Sequence, residues 1–321
     1  MKVSPPPRTP TRGETRTRTL FVTLLLLLIQ ACLLATHTPG VRAQREDDEE
    51  VVRVNSELVV LNVTVTDSEG QYVHKLKRTD FKVFEDGREQ RVGLFSVEET
   101  PFAAAILLDT SGSMENRLTL ARAATIRFLE GLREEDVAAV YHFDTKVERL
   151  RDFEPGRDLP PVAYDLNSRG MTSLNDAVLQ AARDISKRPE KRRAIIVLSD
   201  GMDTKSGASA DKALNAALEA NATIYTVDMT SPLLNVSDRA RAAGTLRNFA
   251  AKSGGRYVSK PGGQALDDAF REILEELSNQ YTLGYRPENT ARDGRWRAIQ
   301  LKLSRPELNA RTRNGYRAPK G

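Results

Sequence analysis

The sequence predicts an α/β protein with a doubly wound, mostly parallel sheet, helices on both faces, and a small β-sandwich formed by the N- and C-terminal flanks. Two apolar runs, Phe102 to Leu108 and Ala194 to Ser199, each lead into an aspartate, Asp109 and Asp200. Such unbroken runs are typical of parallel strands buried on both faces. The segments between and after them carry apolar residues every three to four positions, the period of amphipathic helices. Outside 101–280 the period changes to two, the signature of half-buried strands.

From the N-terminus, residues 1–43 have the layout of a secretory signal: a basic stretch to Arg18, an apolar core from Leu20 to Ala35, and Val41-Arg42-Ala43 as a cleavage site. The apolar core is shorter than the roughly 20 residues of a membrane span. Retention as an uncleaved N-terminal anchor is the alternative. Cys32, the sole cysteine, lies inside this segment, so a cleaved chain has no thiol chemistry and no disulfide. The chain's net charge is +4, but 1–43 hold six basic residues against one acid, which leaves the remainder near neutral. A nucleic-acid partner is therefore not expected from charge.

Residues 44–50 form a charged leader. Residues 51–98 are β-rich: Val59, Leu61, Val63 and Val65 alternate with polar residues, and Phe81 to Phe84 lead into a Glu85-Asp86-Gly87 turn. The α/β region, 101–280, follows. Helices are expected at 118–132, 174–185, 210–220, 238–251 and 264–279. Strands are expected at Val137 to Phe143, Thr223 to Val227 and Arg256 to Ser259, with an antiparallel edge strand at Lys146 to Leu150. Tyr281 to Tyr285 and Ile299 to Leu303 restore the period of two. Segment 281–321 carries ten basic residues against three acids, and segment 44–101 carries eight against fourteen. Each alone has too few strands to bury a face, so the two oppositely charged flanks are expected to pair; two independent decorations are the alternative.

Three short segments carry chemistry. Asp109-Thr110-Ser111-Gly112-Ser113 leaves the first apolar strand, Gly170-Met171-Thr172-Ser173 opens a helix, and Leu198-Ser199-Asp200-Gly201 closes another strand. In doubly wound sheets, ligands collect beyond the carboxyl ends of strands. Hydroxyl and carboxylate oxygens with no His or Cys suit a hard cation, Mg²⁺ first, with Mn²⁺ or Ca²⁺ as alternatives. Ser111 and Ser113 alternate along an expected extended loop, which turns both hydroxyls to one side. The carboxylates of Asp109 and Asp200 would retain the ion. Taken singly, such Asp and Ser residues also serve as turns or helix caps.

Together the five positions resemble the metal-ion-dependent adhesion site of von Willebrand factor A domains. The resemblance covers about 101–280. It implies a von Willebrand factor A-like fold, Ser111, Ser113 and Thr172 as direct ligands, and Asp109 and Asp200 acting through water. The whole chain further resembles a group of bacterial secreted proteins with a related domain, through its β-strand prelude and its Tyr281-Thr282-Leu283-Gly284-Tyr285-Arg286-Pro287 segment.

Other features are assigned blander roles. Asp176 is expected to support the start of its helix in a capping-box-like arrangement, and Asp203 to be a solvated loop residue. His37 lies in the expected signal, and His74 and His142 lie on separate β segments, so a His-based site is not expected. Trp296 and Tyr285 are expected to pack the sandwich, with an exposed ligand-stacking role as the alternative for these aromatics. The Arg-rich C-terminal segment is expected to be a solvated face or to pair with the acidic flank, rather than to meet a phosphate or acidic glycan. Sequons at Asn62, Asn221 and Asn235 carry little weight.

No general base stands beside an open site, so catalysis is not expected. The expected function is an extracytoplasmic, secreted or periplasmic binding module. In it a cation would ligate an Asp or Glu of a protein partner, and membrane contact would come only through an uncleaved N-terminal segment. The alternative is a structural or assembly component of the envelope with a fold-stabilising metal.

Overall fold

The computed structural model describes residues 58–97, 100–156, 158–231, 235–259 and 264–321. The expected signal peptide or anchor, the charged leader, Cys32 and His37 lie outside the described residues. Among the described residues no helix is long and apolar enough to cross a membrane.

The N-terminal flank supplies β1 (Val59–Thr66), β2 (Phe81–Glu85), β3 (Arg88–Gln90) and β4 (Val92–Ser96). The α/β region then runs through β5 (Phe102–Asp109), α1 (Leu118–Glu130), β6 (Val137–Phe143), β7 (Val147–Glu154), α2 (Leu174–Ile185) and β8 (Arg192–Ser199). It continues with α3 (Ala210–Glu219), β9 (Ala222–Asp228), α4 (Val236–Ser253), β10 (Tyr257–Val258) and α5 (Gln264–Ser278). The C-terminal flank supplies β11 (Tyr281–Tyr285), β12 (Trp296–Leu303), β13 (Asn309–Arg311) and β14 (Gly315–Arg317).

The central sheet has six strands in the order β10-β9-β8-β5-β6-β7, all parallel except the edge strand β7. Every residue of β5 is buried, as its unbroken apolar run requires. One face is covered by α2, α3 and α4, through Leu174, Val178, Ile185, Leu214 and Leu246. The other is covered by α1 and α5, whose Phe128 and Phe270 rings meet edge to face at 6.0 Å. The chain leaves β5 to one side for β6 and later returns to the other side for β8. The strand order therefore reverses at β5, where a crevice opens beyond its carboxyl end.

The flanks form two four-stranded sheets, β13-β1-β11-β4 and β14-β12-β2-β3, each mixing N- and C-terminal strands. Leu61 and Val63 of β1, Leu283 of β11, Val83 of β2 and Ile299 of β12 share one core between them. Phe81, Phe95 and Tyr281 add an aromatic cluster with centroids 5.2–6.1 Å apart. The flanks thus pair as one sandwich. Tyr285 fulfils its expected packing role: it is buried and its hydroxyl donates to Glu85 Oε2 at 2.8 Å. Trp296 does not. It stands on the outward face of β12, where burial alternates so that Arg297 and Ile299 point inward.

The sandwich docks on the α/β region through polar side chains. On β1 the residues opposite the sandwich core include Thr64, whose hydroxyl donates to Glu276 Oε1 at 3.1 Å. Glu276, on α5 and fully buried, also accepts from Tyr225 at 2.9 Å. Its other oxygen lies 2.5 Å from Arg311 Nη2 and 3.4 Å from Arg256 Nη2. Arg313 extends this seam by donating to the carbonyls of Leu218 and Val60, both at 2.8 Å.

Candidate functional site

The crevice at β5 is built by three loops tied backbone to backbone. Thr110 N donates to Phe143 O at 2.8 Å, which holds the β5 loop against the end of β6. Arg169 N donates to Thr110 O at 2.9 Å, and Gly112 N donates to Gly170 O at 3.3 Å, so the loop before α2 lies along the β5 loop. Thr204 N and Lys205 N both donate to Thr172 O at 2.9 Å, and Thr172 N donates to Thr204 Oγ1 at 2.9 Å. The third loop, after β8, is thereby fastened to the second. Gly170 makes the second loop's path practicable: its φ is +76°, and a Cβ there would lie 2.6 Å from Thr145 Oγ1.

The five expected site residues converge here to different degrees. Asp109 Oδ1 accepts from Ser111 N at 2.9 Å, and Ser111 Oγ lies 3.1 Å from Ser113 Oγ. The loop is not the extended one expected from sequence, because Gly112–Met114 curls into a 3₁₀ turn. The turn still brings the two hydroxyls together. Asp200 adjoins Asp109 closely enough for its charge to raise the Asp109 pKa. Thr172 lies on the neighbouring loop, which is bonded through Gly170 O to Gly112 N and through Thr172 O to Thr204 N and Lys205 N.

Asp109 and Asp200 are 0% and 2% exposed, and among the described residues neither forms an ion pair with a basic side chain. Burial pushes the Asp109 carboxyl up to about 7, and Asp200 adds to the rise; hydrogen bonds from Ser111 and Ser199 oppose it. A cation would reverse both destabilising causes. No group of three or more His, Cys, Asp or Glu gathers as a metal site among the described residues. A cation in this crevice would therefore take most of its ligands from hydroxyls. The oxygen-only donor set and the unneutralised carboxylates fit a hard cation.

Several supporting residues have roles not read from sequence. Ser199 Oγ donates to Asp109 Oδ2 at 2.6 Å and accepts from Gly201 N at 2.9 Å, which fixes the carboxylate to the end of β8. Its place beside Asp200 at a strand end was the available signal. Asp176 does not cap its helix: its carboxylate accepts from Gly207 N at 2.8 Å and Ala208 N at 2.9 Å, tying down the loop after β8. Asp203 is half-buried rather than solvated, accepting from Asn175 Nδ2 and from Ser206 N. His142 remains outside the donor set, with its Nδ1 3.3 Å from Thr110 Oγ1.

Fold and crevice together define a doubly wound domain with an oxygen-lined site at the strand-order reversal. Residues 104–202 match the family model of the von Willebrand factor type A domain. The chain is 27% identical over 122 residues to inter-alpha-trypsin inhibitor heavy chain H3 of Bos taurus, a match covering 34% of this chain and 14% of that protein. Among solved structures it is similar to the vWF domain of the type V pili tip protein Mfa5 from Porphyromonas gingivalis, with TM-score 0.47 and 15% identity over 56% of this chain and 95% of that one. It is also similar to a von Willebrand factor type A protein from Catenulispora acidiphila, with TM-score 0.46 and 15% identity over 74% and 72% of the two chains.

Proposed function

We propose that the protein is an extracytoplasmic, metal-dependent binding module whose crevice grips an acidic side chain of a protein partner. The observation that carries this reading is the pair of buried carboxylates, Asp109 and Asp200, ringed by hydroxyls and without a basic partner in the described chain. Ser111, Ser113 and Thr172 would hold Mg²⁺, with Mn²⁺ or Ca²⁺ as alternatives, and the two aspartates would retain it through water. When bound, the cation supplies a coordination position that an external Asp or Glu can fill in place of water. Asp109 orients the Ser111 backbone, Ser199 orients Asp109, and Asp176 steadies the loop after Asp200. The role is ligation rather than catalysis.

The pilus tip protein among the similar structures is in keeping with adhesion or assembly outside the cell, which agrees with the signal expected at 1–43. The test is calorimetric titration of Mg²⁺ into the protein and its Asp109→Ala variant. Loss of binding in the variant, with circular dichroism unchanged, supports the reading; unaltered affinity removes it. A second reading, a metal that only stabilises the fold, is favoured by the three loops the crevice fastens together. Partner capture that survives chelation would select it.

A further inference from the structure

The outward face of the β14-β12-β2-β3 sheet carries an arrangement that sandwich packing does not explain. Alternation along β12 turns Trp296, Ala298, Gln300 and Lys302 to solvent. The register sets Lys302 directly opposite Lys82 of β2, and Trp296 opposite Arg317 of β14. Like charges directly opposed across a ladder destabilise a sheet. Among the described residues neither lysine forms an ion pair with a carboxylate. Lys302 Nζ sits 5.0 Å from the centre of the Phe84 ring, a contact that fixes its ammonium over the sheet and leaves the charge in place. The ladder pairs place one acid on this face, Glu89 opposite Phe84, and Asp86 and Asp80 border it through Ala298 N and Ser304 Oγ.

Trp296 is seated rather than loose. A Cβ at Gly315 would lie 2.4 Å from its Cζ2 and 2.5 Å from its Cε2, so the indole rests where any other residue would carry a side chain. The β14 backbone supports one side of the ring. The residue remains 37% exposed, a large aromatic held at the surface opposite Arg317, with Gln300 and the lysine pair further along the same face. Along β12 the strip from Trp296 to Lys302 spans on the order of 20 Å.

We propose that this face binds an acidic polysaccharide, with the Trp296 indole stacking on a sugar ring and Lys82, Lys302 and Arg317 meeting its carboxylate or sulfate groups. The chemistry selects this partner over other polyanions. Single-stranded nucleic acid is held by successive stacking platforms, whereas Lys302 already covers Phe84 and leaves one indole. An acidic peptide supplies the charge but no ring to match that indole. The site is on the sandwich and is independent of the crevice.

Trp296 is the only tryptophan of the chain, so its emission reports on the site directly. The full chain is titrated with heparin and with polygalacturonate, with dextran, single-stranded DNA and polyglutamate as controls, in the presence of Mg²⁺ and of chelator. The expected result is a change in tryptophan emission with an acidic polysaccharide, absent with dextran and indifferent to chelation. By calorimetry, Trp296→Ala and the pair Lys82→Gln with Lys302→Gln each weaken binding about tenfold. The lysine variant also loses much of the salt dependence, and both remain folded by circular dichroism. The proposal is overturned if neither polysaccharide binds, if Trp296→Ala binds like wild type, or if chelation abolishes binding. DNA or polyglutamate bound as tightly, with the same variants losing affinity, overturns it in favour of a general polyanion surface.

Discussion

Two of the molecule's buried carboxylate sites, one at the seam and one at the crevice, are treated in opposite ways. At the seam between sandwich and α/β region, Glu276 faces two guanidiniums, Arg311 and Arg256, and two hydroxyls, Thr64 and Tyr225. At the crevice, Asp109 and Asp200 face serine hydroxyls, backbone amides and each other. The first cluster carries its own counter-charge. The second has its hydrogen bonds but not its counter-charge. Buried Glu85 and Asp228 also form no ion pair among the described residues and accept from tyrosine hydroxyls, so what sets the crevice apart is that two such acids act on each other.

Glu276→Ala removes the buried partner of two arginines that are themselves about a third exposed, and of two hydroxyls, and should cost about 3 kcal/mol in denaturant unfolding. Asp109→Asn should instead leave metal-free stability nearly unchanged or raise it, because it removes an uncompensated buried charge. A comparable loss in both variants would erase the distinction. Next in size is the metal itself. Mg²⁺ at a hundred times its dissociation constant should stabilise the wild-type protein by about 2.7 kcal/mol and leave Asp109→Asn unmoved, as read from melting curves with and without chelator.

Ser199→Ala should cost less, about 1–2 kcal/mol, by removing a buried hydrogen bond to Asp109. It should weaken Mg²⁺ binding without abolishing it, whereas Ala at Ser111 or Ser113 should abolish it in titration calorimetry. The smallest effect is invisible at neutral pH. Burial, with Glu276 adding to it, raises the Tyr225 hydroxyl well above its ordinary range, and Tyr72 is pushed up to about 12 by the same two causes. Folded pKa values above the unfolded value of 10.0 mean that this stability is intact below pH 10 and is lost as pH rises through the folded values. The part of the tyrosinate absorbance that Tyr225→Phe and Tyr72→Phe remove should therefore rise together with loss of tertiary circular dichroism. Ionisation that precedes unfolding would show a looser seam than described.

Much of this was legible in sequence, for physical reasons that differ by element. The helices at 118–130, 174–185 and 264–278 carry strong apolar periodicity, and the structure ends them within two residues of expectation. The buried strands β5 and β8 announce themselves by unbroken apolar runs. β13 and β14 were missed because three residues such as Asn309–Arg311 show no alternation, and their pairing is decided by the neighbours β1 and β12. The spacing of the DTSGS loop, Thr172 and Asp200 drew attention to the crevice. Tertiary placement alone reveals that Asp176 ties a loop rather than a helix end, and that Trp296 faces outward over Gly315.

One connection has a consequence for modularity. The chain enters the α/β region from β4 and leaves it into β11, and Ser96 pairs directly with Thr282 across those two strands. The entire crevice-bearing region is therefore an insert at the closed end of a β-hairpin. A short turn joining the two strands would close the ladder and yield a free-standing sandwich, and the same junction could receive a different insert with little change to its host.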